Sequence, residues 1–99
     1  QLTTADNNVI LGDHCGHMIT TGEGNVAIGY SALQGQSAYT TGANNIAIGT
    51  SCGQSISTGY NNVALGGMAL NRNDTGHTNV AIGSSAGYSQ KGYYNVSIG

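Results

Sequence analysis

The sequence predicts an all-β fold, a parallel β-roll or β-solenoid of about six short repeats. Three observations predict it. The pentapeptide Asn25-Val26-Ala27-Ile28-Gly29 recurs, with copies starting at Asn8, Asn25, Asn45, Asn62, Asn79 and Asn95. The steps between them are 17, 20, 17, 17 and 16 residues, a period that belongs to stacked coils rather than to a domain with a catalytic centre. Within each copy, large and small residues alternate with period 2, and the large ones are mostly β-branched, which marks a strand.

The repeat centres are residues 8–12, 25–29, 45–49, 62–66, 79–83 and 95–99, and the whole of 1–99 reads as a single repeat domain. Ahead of the Asn stand Thr and then Gly, as in Thr21-Gly22, Thr41-Gly42, Thr58-Gly59 and Thr75-Gly76. After it come an apolar residue, a small one, a second apolar one and Gly29, Gly49, Gly66 or Gly83. Glycines flanking a strand of this length belong where the chain turns sharply, at positive φ. Three positions after that Gly is Cys15, Ala32, Cys52, Ala69 or Ala86. The interval to the next copy leaves room for a second short strand around Ser31-Ala32-Leu33 and two turns.

One face of the strands collects Val9, Leu11, Val26, Ile28, Ile46, Ile48, Val63, Leu65, Val80, Ile82, Val96 and Ile98. The other collects Ala27, Ala47, Ala64, Ala81 and Ser97, with Ile10 alone large. The aliphatic face is expected to supply the buried core, and the smooth alanine face to pack closely against copies of the chain. Two aliphatics per turn are a thin payload against the entropy of ordering the turn, which points to an obligate oligomer with cyclic symmetry.

Stacked coils place equivalent residues about 4.8 Å apart. The Asn column is then either a ladder of amides bonded along the stack or a set of turn residues that start each strand. A slower rhythm runs through Gly16, Leu33, Gly53, Leu70 and Gly87, where each Leu is expected to fill space left by Gly on neighbouring turns. The longest copy carries Gln34-Gly35-Gln36-Ser37-Ala38-Tyr39, the expected projecting loop.

Composition narrows the function classes. The chain has 17 Gly, no Pro, Phe or Trp, two basic and four acidic residues, and a formal net charge of −2. That leaves no basic patch for nucleic acid, and no apolar run long enough to insert into a membrane as a helix. Disorder would also explain low charge and high Gly, but disordered tracts have no reason to hold Val or Ile at one offset from Asn. The chain opens with Gln1 and stops at Gly99 part-way through a repeat, so a fragment of a longer fibre is expected.

Candidate chemistry is sparse. Asp13-His14-Cys15-Gly16-His17-Met18 groups metal-ligating residue types, but zinc usually takes two separated pairs and no second pair follows. Cys15 also aligns with Ala32, Ala69 and Ala86, so it reads as a small buried residue, and no metal or other cofactor is expected. Copies of His14 or His17 meeting on a three-fold axis are the one route to a metal. Cys15 and Cys52 lie two turns apart, about 9–10 Å, beyond disulfide reach, and should be free thiols. Asp6, Asp13, Glu23 and Asp74 form no catalytic pairing in sequence, so no enzyme is expected. Among the tyrosines, Tyr30, Tyr39, Tyr60 and Tyr93 offer flat faces suited to stacking on a sugar. The Thr column offers a hydroxyl ladder that an ice-binding surface would need.

The repeat Gly76 to Gly83, with Gly-x-x-Asn-Val-Ala-Ile-Gly, resembles the head repeats of trimeric autotransporter adhesins. Gly42-Ala43-Asn44-Asn45-Ile46-Ala47-Ile48-Gly49-Thr50-Ser51-Cys52-Gly53 is similar to the repeats of phage tail-fibre proteins. The resemblance covers nearly the whole chain. It implies a left-handed β-roll, a homotrimer wound about one axis, and an extracellular place on a virion or bacterial cell surface. It also implies attachment to a host-surface glycan or receptor, or support for an attachment tip. The period exceeds that of adhesin heads, and their neck and anchor are missing, so the tail-fibre form is the closer of the two.

Overall fold

Every copy of the repeat forms one three-residue strand: β1 (Val9–Leu11), β2 (Val26–Ile28), β3 (Ile46–Ile48), β4 (Val63–Leu65), β5 (Val80–Ile82) and β6 (Val96–Ile98). The computed structural model describes residues 7–16, 22–34, 42–56, 58–72, 76–88, 92 and 94–99. Among these residues there is no helix. The six strands form one sheet in sequence order, and each pairs in parallel with the next. The register repeats without slippage, so that Val26 faces Val9 and Ile46, and Ala64 faces Ala47 and Ala81. The result is a β-solenoid.

Tight coiling comes from residues at positive φ, at three places in each turn besides the strand-ending Gly. The residue before the Asn is one, with Asn44 at φ 60° and Asn61 at φ 56°. The second position after the strand-ending Gly is another, with Ser31 at 59° and Met68 at 63°. The fourth position after that Gly is the third, occupied by Gly53 at 58° or by Leu33 and Leu70 at 48°. Ser31 and Leu33 therefore cannot continue an extended strand. The segment Ser31-Ala32-Leu33 is a run of turns rather than the expected second strand. Its backbone still joins the stack: Ser31 N–H donates to Asp13 O at 3.0 Å and Leu33 N–H to Cys52 O at 3.0 Å.

The two glycine columns serve different needs. Gly29 lies at φ +123°, and a Cβ there would also meet Gly49 O at 2.8 Å. Gly59 is not left-handed, so it is glycine for space: an added Cβ would run into Gly76 O and sit 3.1 Å from Asn62 Nδ2. The expectation of positive φ thus holds for the column after the strand, and in the column ahead of the Asn only at Gly92, at φ 93°.

The core corrects the expected assignment of the faces. Ala27, Ala47, Ala64 and Ala81 are fully buried inside the coil, 0% exposed. They pack with Cys15, Ala32, Cys52, Ala69 and Ala86 from the turn side, and with Leu33, Ile56 and Leu70. The aliphatic columns point out of the coil instead. The reason is width. A turn of this length brings its own far wall within a methyl group's reach of the strand, so only small side chains fit between. Ile10, the one large residue on the inner face, sits on the first strand and is only partly buried against the core.

The Leu and Gly rhythm matches the packing expected of it. A Cβ on Gly53 would lie 3.3 Å from Leu33 Cδ2 and 3.0 Å from Ile56 Cδ1, so these side chains occupy the room the glycine leaves. Burial holds Leu33 and Leu70 in a left-handed conformation that costs an L-residue about 1–2 kcal/mol. Full burial of a Leu, about 1.5–3 kcal/mol, outweighs or matches that cost.

Candidate functional site

The Asn column is a clamp from each turn to the next. Asn62 shows the full set. Its Oδ1 accepts from the backbone N–H of Asn79 at 3.1 Å and from Asn79 Nδ2 at 3.1 Å. Its Nδ2 donates to Gly76 O at 2.9 Å and to Asn45 Oδ1 at 3.0 Å. Asn25 holds Asn45 N–H at 2.9 Å and Gly42 O at 3.0 Å in the same way. Asn8, Asn45 and Asn79 repeat the pattern on Gly22, Gly59 and Gly92. Asn25, Asn45, Asn62 and Asn79 are fully buried. The ladder reading holds: the amides bond along the stack, and they also grip the backbone of the turn that precedes the next strand. An amide meets the full demand, because Asn62 donates twice through Nδ2 and accepts twice through Oδ1, whereas a hydroxyl has a single proton to donate.

On the outside of the coil the described residues present a long apolar face. Val26 and Ile28, Val63 and Leu65, and Val80 are half-buried, while Ile46, Ile48 and Ile82 are exposed. Exposure rises to 69% at Val96 and 74% at Ile98. The strand register aligns these side chains as two straight columns that run the length of the sheet. A contiguous apolar face on a chain with so few charges marks an interaction surface.

Aromatic residues form a second exposed feature. Tyr60 and His77 stack with ring centroids 4.5 Å apart and planes 4° from parallel. Tyr94 meets His77 edge-on at 5.6 Å. His77 Nδ1 also lies 3.1 Å from Thr78 Oγ1. Tyr30 is exposed on another corner, edge-on to His14 at 5.6 Å. Tyr39 and Tyr93 lie outside the described residues. Sequence reasoning singled out Tyr60 but missed His77. Reading the copies two positions ahead of the Asn would have found it, since Glu23, Ala43, Tyr60, His77 and Tyr93 occupy that place.

Among the described residues of the His and Cys stretch no group of three metal-ligating side chains comes together. Asp13 and His14 face outward with a 3.9 Å contact between them. Cys15 turns inward, where its Sγ donates to Ala27 O at 2.9 Å. His17 and Met18 lie outside the described residues. Cys52 repeats the inward bond, to Ala64 O at 3.0 Å, and both thiols are free and buried. Burial pushes the Cys52 thiol up to about 11 and raises Cys15 in the same direction. A thiol so placed is a poor nucleophile and metal ligand, both of which require the thiolate. Of the Thr column only Thr58 is described, and it is exposed. The projecting loop from Gly35 to Tyr39 also lies outside the described residues.

Compared with known protein families, curated proteins and solved structures, the chain matches none.

Proposed function

We propose that this chain is a structural segment of a trimeric, left-handed β-roll fibre of the tail-fibre type, which mediates or supports attachment to a host surface. The observation that carries the reading is the pair of outward aliphatic columns from Val9 and Leu11 to Val96 and Ile98, none of which is buried within the chain. Burying an aliphatic side chain stabilises by about 1.5–3 kcal/mol, so a face repeated on every turn strongly favours association. A straight face parallel to the coil axis suits identical coils side by side around a common axis, and cyclic symmetry closes that arrangement. The number three comes from the resemblance of the repeat to adhesin heads and tail-fibre repeats. The contact face is the aliphatic one rather than the alanine face first expected, because the alanines are used inside each coil.

A rigid spacer fits the remaining features. The amide clamps fix the rise per turn, and the coil extends by adding turns without changing its section. Sedimentation of the isolated chain tests the reading. A species near three times the 10.0 kDa chain mass is expected, and a compact monomer at micromolar concentration would overturn it.

A further inference from the structure

We infer that the gap beside Tyr60 is a binding slot for one neutral pyranose ring. Backbone hydrogen bonds place Glu23, Ala43, Tyr60 and His77 in one column, one residue per turn. Asn44 N–H donates to Glu23 O at 2.9 Å, Asn61 N–H to Ala43 O at 3.1 Å, and Thr78 N–H to Tyr60 O at 3.0 Å. His77 covers one face of the Tyr60 ring in a near-parallel stack. Parallel stacking along the column aims the opposite face of Tyr60 at the turn of Ala43. Alanine has no ring to continue the stack, so among the described residues no ring covers that face, and Tyr60 is 44% exposed.

The far side of the gap is polar. Glu23 is exposed on the turn beyond Ala43, and among the described residues its carboxylate has no ion pair. Two turns separate Glu23 from Tyr60, about 10 Å at the usual strand spacing. A sugar ring stacked on Tyr60 occupies about one turn of that distance and leaves its outer hydroxyls within reach of the flexible carboxylate. Asn44 and Asn61, both exposed, stand in the adjoining column and offer amides to the ring's edge. An apolar C–H face against an aromatic and hydroxyls against carboxylate and amide is the chemistry of a neutral hexose. The negative charge of Glu23 disfavours sialic and uronic acids. The slot lies on one chain, so its test reads independently of assembly.

Saturation-transfer NMR on the 99-residue chain with the methyl glycosides of glucose, galactose and mannose, and with sialic acid as a control, tests the inference. Transfer to the ring C–H protons of at least one neutral glycoside is expected, with little to sialic acid. Tyr60→Ala should weaken binding about tenfold, the scale of one lost aromatic contact, and Glu23→Gln should weaken it by a smaller factor. Ala43→Tyr completes the ring column, so it should abolish binding while leaving the melting temperature unchanged or raised. No transfer from any neutral glycoside would overturn the inference. So would equal binding of sialic acid, wild-type binding in both Tyr60→Ala and Glu23→Gln, or binding that survives a folded Ala43→Tyr.

Discussion

The two faces of the same six strands obey opposite rules. On the inner face Ala27, Ala47, Ala64 and Ala81 are buried to 0%. One residue away, on the outer face, larger and more apolar side chains remain in contact with solvent. In a sheet covered by a separate layer the large side chains would turn inward. Here each coil is its own second layer: the strand positions have room for a methyl group, and large side chains such as Leu33 and Ile56 enter only where a glycine such as Gly53 leaves space. Size therefore decides what goes inside the coil, and hydrophobicity decides what the coil does to its neighbours.

That contrast can be broken most severely from within. Ala64→Leu forces a branched side chain into the space that Ala69 and the Cys52 thiol already fill. Overpacking costs about 1–3 kcal/mol and occasionally more, and with a rigid backbone on the far wall the upper end, with loss of the folded far-ultraviolet spectrum, is the expected result. Leu70→Ala empties one of the few large inner positions and should destabilise by about 2–5 kcal/mol in chemical denaturation. Asn62→Ala removes the buried bonds to Asn79 N–H and Gly76 C=O, at a cost of about 2–4 kcal/mol in the same assay.

Alkali sharpens the inner side of the comparison more gently. The Cys52 thiol titrates near 9 when unfolded and near 11 when folded. Between those values the unfolded chain holds fewer protons than the folded one, so stability falls as pH rises, by up to about 1.4 kcal/mol per pH unit. Below pH 9 the contribution is fully present. Cys52→Ala, which reproduces the residue at Ala32 and Ala69, should flatten that slope in a melting series from pH 8 to about 11. Native protein should also leave both thiols unmodified by an alkylating agent at pH 8, with modification only after unfolding.

Much of the fold was legible because the repeat is stated so often. The Asn and Gly positions and the period-2 core locate every strand, and the free thiols follow from the spacing of Cys15 and Cys52. The assignment of faces was not legible from the pattern alone. Alternation in Val26-Ala27-Ile28 says that two faces differ, but not which one meets the coil's far wall, and that depends on the coil's width. The turn-side segment misled for a related reason: Ser31, Met68 and Leu33 are not residues that advertise a left-handed backbone, whereas Asn44 and Asn61 are. The ladder reading of the Asn column contained the amide-to-amide bonds of Asn62, but not its grip on the backbone of Gly76 and Asn79 on the next turn. The aromatic column was hidden by treating each Tyr singly, when the alignment two places ahead of the Asn puts Tyr60 beside His77 and Ala43.

The outward aliphatic columns as the contact between chains are tested most directly by disulfide trapping in a Cys15→Ala, Cys52→Ala background. Ile48→Cys lies on the aliphatic face, and Thr58→Cys lies at an exposed position outside the strands. Mild oxidation should link chains rapidly through Ile48→Cys and leave Thr58→Cys as single chains. Equal linkage at both positions, or none at Ile48→Cys in a sample that sediments as a monomer, would contradict the account.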